Sequence, residues 1–158
     1  VETSKTGIQL ITHYEGCSLS SYPDVGGIWT IGYGTTGPDI KEGMTITQCD
    51  ALSLLSNDLK AFENMLNKRL PNPIKQNEFD ALMSFLYNVG PGGRSKDGLF
   101  ELKLGRPSSL WSYVVGGQMN LAASQFQLWN RVGGVVVHGL SLRRHSEAML
   151  FSTNRLVF

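Results

Sequence analysis

Apolar residues recur at three- and four-residue steps along most of the chain and alternate in only one stretch. Ile8, Ile11 and Tyr14 stand three apart, Thr3 or Ser4 suits a helix start, and Gly16 suits the stop. This predicts a helix over 4–15 that ends at Glu15. Residues 18–36 change period: Ile28, Thr30 and Gly32 fall on one face of a strand, Trp29, Ile31 and Tyr33 on the other. Tyr22-Pro23-Asp24 opens a turn and Gly26-Gly27 completes it, so a small antiparallel sheet is expected. After a loop over 37–46, Thr47-x-x-Asp50 has the form of a capping box. Ala51, Leu54, Leu55, Leu59, Phe62 and Leu66 then make a core stripe, with a possible break at Ser56-Asn57. Leu70-Pro71-Asn72-Pro73 ends that helix and is the best boundary between lobes. A helix over 74–89 turns Phe79, Leu82, Met83 and Leu86 inward. Further helices are read over 109–115, over 119–129 and from about Gly139, and a flexible loop over 132–137.

The chain has 158 residues, 41% hydrophobic and 17% charged, enough for one domain with a core of its own. Net charge is +1, unevenly placed: residues 131–158 carry four Arg and one Glu. That end suits a polyanionic partner such as a wall, a membrane surface or nucleic acid; a solvated face with a few salt bridges explains it equally well. Cys17 and Cys49 lack metal or redox spacing and are read as free thiols. The other reading, a disulfide, would put a covalent bond two residues from Glu15. No stretch has the roughly 20 apolar residues a membrane span needs, and no secretory leader stands at the start. His13, His138 and His145 show no metal-motif spacing, so no metal or cofactor is expected.

The chemistry concentrates in residues 14–36. Glu15 sits at a helix end, where the dipole disfavours a carboxylate and favours the protonated acid. Asp24 follows nine positions later in the turn, and Thr30 six after that on the strand. Two carboxyls on different elements are what acid-catalysed sugar-bond cleavage requires. Glu-x8-Asp-x5-Thr followed by Ile-Gly-Tyr-Gly-Thr-Thr resembles the phage-type lysozymes, the endolysins of glycoside hydrolase family 24. Phe85-Leu-Tyr-Asn88-Val-Gly90, Ala122-Ala-x-x-Phe126-x-x-Trp129 and Gly139-Leu-x-x-Arg143-Arg144-x-x-Glu147 extend the resemblance along the chain.

The resemblance implies an α+β fold, mostly helical and two-lobed, with the small sheet in the N-terminal lobe. Residues 16–46 would form that lobe, 47–70 a connecting helical region, and 71–158 with 1–15 the helical lobe of a single lysozyme domain. It implies hydrolysis of the β-1,4 bond between N-acetylmuramic acid and N-acetylglucosamine in bacterial peptidoglycan, with inversion, for host-cell lysis. Glu15 would be the acid; Asp24 and Thr30 would hold a water; Arg143 would support Glu15; Tyr33 and Gly34 would touch substrate. Asn88 is read as fixing backbone, and Trp129 as core. The implied partner is the glycan strand, with no nucleic acid, a weak contact of the basic C-terminal lobe with anionic wall or membrane, and a monomeric state. Synthesis would be in the host cytoplasm and action in the periplasm or on the wall. Residues 91–107 look like a subgroup's insertion, either a cleft-side hairpin or a surface excursion without contacts. Two other functions remain open. A lytic transglycosylase needs one acid and leaves Asp24 and Thr30 without a role; a silent wall-binding module needs none of the three.

Overall fold

A computed structural model describes residues 1–158. The fold is α+β, dominated by helices, with a small antiparallel sheet near the N-terminus. Helix α1 (Lys5–Glu15) is capped by Ser4, whose hydroxyl accepts from the amides of Thr6 and Gly7. Asp80 in turn accepts from the Ser4 amide and hydroxyl, which fixes the start of α1 to the middle of α3 (Gln76–Val89). Gly7 permits this approach, because a Cβ there would stand 2.6–2.9 Å from Thr3 and Asp80.

β1 (Ser18–Pro23) pairs antiparallel with β2 (Trp29–Gly32), Tyr22 opposite Thr30 and Pro23 opposite Trp29. Residues 44–46 run along the far side of β1, through the Ser21 amide to the Met44 carbonyl and the Ile46 amide to the Leu19 carbonyl, both 2.9 Å. Thr30, Ile31 and Gly32 are all buried, so β2 is covered on both faces, and paired strand ends at Gly32 where alternation predicts it onward to 36.

α2 (Gln48–Arg69) opens with the expected capping box, the Thr47 hydroxyl accepting from Asp50 and the Asp50 carboxylate from Thr47. It crosses Ser56-Asn57 unbroken. Neither residue removes a backbone hydrogen bond as proline would, and Leu55 and Leu59 hold both sides to the core. α3 is more buried than its apolar stripe predicts: Phe85, Ser84, Asp80 and Glu78 are covered along with Phe79, Leu82, Met83 and Leu86. It is the central helix, with α1, α2 and α6 (His138–Thr153) packed around it. Asn77 ties it to the end of α6, its amide donating to the carbonyls of Leu150 and Phe151 at 2.9 and 2.8 Å.

The segment 91–107 contributes to the core of the protein. Leu99 and Phe100 drop from it into the core, and Phe100 lies between the Trp111 ring edge and the Arg69 guanidinium. Two glycines allow the fold-back: a Cβ on Gly92 would lie 1.9 Å from the Glu101 carbonyl oxygen, and one on Gly98 2.0 Å from the Gly92 nitrogen. α4 (Ser109–Val115) and α5 (Met119–Gln125) follow, with a 3-10 turn over Phe126–Leu128 where a single helix to 129 is expected. The predicted loop at 132–137 is a hairpin. β3 (Arg131–Val132) pairs with β4 (Val135–Val136) across Gly133-Gly134, both at positive φ as a tight two-residue turn demands. One continuous core of 22 buried residues links α2 to the later helices. No helix is long and apolar enough to cross a membrane.

Leu99→Ala tests whether 91–107 is structural. Emptying that site should lower stability by about 2–5 kcal/mol, read by denaturant unfolding; a loss near zero would return the segment to the surface.

Candidate active site

Glu15 is the last residue of α1, where Gly16 turns the chain away at φ +68. Its side chain is 22% exposed, and Oε1 accepts from Arg143 Nη1 at 2.6 Å. No hydrogen bond engages Oε2, which leaves that oxygen available to a ligand. Arg143 is itself buried and anchored: Nε donates to Glu147 Oε1 at 3.2 Å, and Nη2 to the Ser84 carbonyl at 3.1 Å and its hydroxyl at 3.3 Å. The Ser84 hydroxyl donates to the same Glu147 oxygen at 2.7 Å. Arg144 closes the network, Nη2 donating to Glu147 Oε1 at 2.8 Å while its guanidinium lies 4.7 Å from the Phe85 ring centre. Arg144 Nε also comes within 2.6 Å of Glu147 Oε2, but out of line for a hydrogen bond, so that contact is electrostatic only. Burial pulls the Arg144 pKa below its ordinary value, and Glu147 opposes that pull.

Asp24 sits in the turn that joins β1 to β2. Its Oδ1 accepts from the amides of Gly26 and Ile28 at 2.8 and 2.9 Å, so the side chain builds the turn that presents it. Oδ2 has no protein partner. Thr30 is buried, and its hydroxyl donates to the Ile28 carbonyl at 2.9 Å. With its proton so directed, the oxygen retains lone pairs to accept a water hydrogen.

Tyr33 and Gly34, the expected substrate contacts, lie in the turn after β2. The Tyr33 ring is 6% exposed, though covered by only a thin layer of neighbours. Its phenol is hydrogen-bonded to Gln48, and its pKa is raised by that cover and by Cys17. The Tyr33 side chain is thus largely covered, with its hydroxyl held by Gln48. Gly34 is exposed at φ +97. Its neighbours reach the helices, Tyr87 of α3 donating to the Tyr33 carbonyl and Thr35 donating to Asp58 of α2. Burial first, then the charges of Glu15 and Asp58, push the Tyr87 phenol well above its usual range, with Arg143 opposing. Cys17 and Cys49 are unpaired and exposed.

A groove of about 720 Å³ opens beside this site between the 91–107 segment and the β3–β4 hairpin. Asn88, Lys96, Lys103, Trp129 and Arg131 line it, with Arg144 beneath. Glu15, Asp24 and Thr30 do not line it, but Arg144 at its floor lies within electrostatic reach of Glu15. The Asn88 amide makes no protein hydrogen bond, contrary to its reading as a backbone brace, and Trp129 is half-exposed rather than sealed in the core. Asp97 also lines the groove, its Oδ1 accepting from the Lys103 amide at 2.8 Å; neither Lys96 nor Lys103 makes a direct ion pair with it, since all three ion pairs lie in the Arg143–Glu147 cluster. These residues were missed because they come from separate loops; Lys96, Asp97 and Lys103 within a Gly- and Pro-bounded segment were the available signal. Of the four arginines in the basic C-terminal region, Arg143 and Arg144 are buried, and Arg131 and Arg155 face solvent.

Residues 12–147 match the model of the phage lysozyme family, and the chain belongs to that family. It is 40% identical over 155 residues to an endolysin of Bacillus phage PZA, covering 97% of this chain and 56% of that protein. It is 34% identical over 133 residues to a SAR-endolysin of Enterobacteria phage P21, covering 84% of this chain and 74% of that one. Among solved structures, an endolysin from Escherichia coli O157:H7 phage FAHEc1 superposes with a TM-score of 0.82 at 33% identity, over 100% of this chain and 98% of that one. The chain spans about half the length of the Bacillus phage endolysins it matches.

Two substitutions probe the electrostatics. Glu147→Gln leaves two buried guanidiniums short of their counter-charge and should cost about 3–5 kcal/mol of stability, measured by urea unfolding. Asp58 behaves differently: burial raises its pKa against the pull of the Thr35 hydroxyl. Its contribution to stability is therefore full below the unfolded-state pKa and is lost as pH rises through the folded-state value. Asp58→Asn should thus melt higher than wild type near neutral pH, and the advantage should vanish in acid. Parallel melting curves across pH would reveal an equal difference at both ends if this is wrong.

Proposed function

We propose that the chain is a muramidase of glycoside hydrolase family 24 that cleaves the β-1,4 bond between N-acetylmuramic acid and N-acetylglucosamine in peptidoglycan. The observation that carries this reading is the division of labour between two carboxyls. Glu15 is fixed by one oxygen to a buried guanidinium, and Asp24 is fixed by one oxygen to its own turn, each leaving the other oxygen unengaged. The glycan would lie between the sheet-bearing residues 16–46 and the helical remainder, joined by the 47–70 region. Protonated Glu15 gives its proton to the bridging oxygen as the bond to the muramic acid C1 breaks. Asp24, through Oδ2, and the Thr30 oxygen hold a water on the opposite face of the ring. That water adds to C1 and passes its proton to Asp24, inverting the anomeric centre. Arg143 positions Glu15 for this transfer.

Gly34 lies at the crest of the turn beside the site and offers backbone to the sugar, the role left once Tyr33 turns inward. The substrate is the wall polymer and the protein acts as a monomer, made in the host cytoplasm and working in the periplasm or on the wall to lyse the cell. Any contact with an anionic wall or membrane outside the cleft rests on Arg131, Arg155 and the groove lysines.

Mass spectrometry of fragments from purified peptidoglycan tests the proposal. Wild type should release fragments ending in a normal reducing muramic acid, and Glu15→Gln should release almost none while remaining folded. Fragments ending in 1,6-anhydromuramic acid would instead mean a transglycosylase, and binding without fragments would mean a wall-binding module.

A further inference from the structure

The turn that follows β2 is gripped by both long helices. Ile31 and Thr35 exchange backbone hydrogen bonds at 2.9 Å in each direction, closing residues 31–35 into a tight loop. From α3, the Tyr87 phenol donates to the Tyr33 carbonyl at 2.9 Å. From α2, Asp58 accepts from the Thr35 hydroxyl at 2.6 Å. The Tyr87 ring packs edge-on against Phe62, centroids 5.6 Å apart, which restrains the phenol laterally. Its hydroxyl also lies within electrostatic reach of Glu15, Asp58 and Arg143.

The two halves of the site are supported unequally. Glu15 is bolted through Arg143 to α3 and α6. Asp24 and Thr30 ride on a two-stranded sheet, which has little stability of its own. We propose that Tyr87 is a positioning residue: by clamping the 33–35 turn to α3, with Asp58 as the second clamp, it sets the separation between Glu15 and the strand that carries Thr30. The inference rests on the reading of Glu15, Asp24 and Thr30 as the reacting groups. A hydroxyl on this tyrosine is needed only for the clamp, since the ring alone would fill the space against Phe62.

Tyr87→Phe removes that one hydroxyl. On soluble peptidoglycan fragments kcat should fall by about ten- to a hundredfold, the range that a displacement of roughly 1 Å costs. KM and the melting temperature should stay close to wild type, because neither ligand contacts nor core packing change. Thr35→Val should lower kcat in the same way, Thr35→Ser should restore it, and Tyr113→Phe on α4 should leave it unchanged. A wild-type kcat for Tyr87→Phe would overturn the proposal, as would a loss lying wholly in KM or one that tracks loss of folded protein. Amide hydrogen exchange gives a readout independent of turnover: the Ile31 and Thr35 amides should exchange faster in Tyr87→Phe, and unchanged rates would overturn the clamp. If the wild type released no muramic-acid ends, the proposed function would fall, while the exchange rates would still judge the clamp.

Discussion

The organisation of the molecule depends on the burial of Arg143. Removing a guanidinium from water costs several kcal/mol unless its donors and its charge are matched. Here the match comes from three places: Glu147 one turn along α6, Ser84 in the central helix, and Glu15 at the end of α1. Three helices must therefore meet at one point for the charge to be tolerated. Arg144, equally buried, leans on the same Glu147, so one carboxylate serves two cations while the second carboxylate is contributed by the cleft. Glu15 is held where it is because the interior needs a negative group there, which ties its placement to the stability of the core.

The small sheet follows a different logic. Its strands are short: β2 is covered, but β1 is largely solvent-facing, and Val25 and Ile28 in the hairpin are exposed. Its shape comes from polar contacts close in sequence: Asp24 with its own turn, Thr30 with the Ile28 carbonyl, and residues 44–46 along β1. Its orientation comes from the helices, through the turn at 33–35. The molecule thus sets a rigid, core-bound acid against a locally built platform.

The sequence was legible wherever the determining interactions are local. The Ser4 cap, the Thr47–Asp50 capping box, the Gly16 stop and the helical stripes all depend on neighbours within a turn or two, and they appear as read. Glu15, Asp24 and Thr30 fall within 16 positions, so their spacing survives as a motif. Position-dependent burial was not legible. An arginine counts as surface charge in composition; only the 139–147 motif pointed to Arg143 behind Glu15, and nothing told that Arg144 points inward. The groove was missed because its walls come from three separate segments. Alternation assigns faces to a strand but does not say that both faces are covered, which hid the joint burial of Thr30 and Ile31. The β3–β4 hairpin was within reach: Gly133-Gly134 between valine pairs is a turn signal, obscured by the shortness of its strands.

The partnership of Glu15 with Arg143 spans 128 positions. In the order of synthesis, α1 precedes its counter-ion by most of the length of this fold. Until residue 147 has been added and freed, Glu15 has no guanidinium to hold it and the central helix lacks the partner it packs against most. A growing chain therefore cannot hold Glu15 in its ion pair until α6 has formed, however well the early helices form.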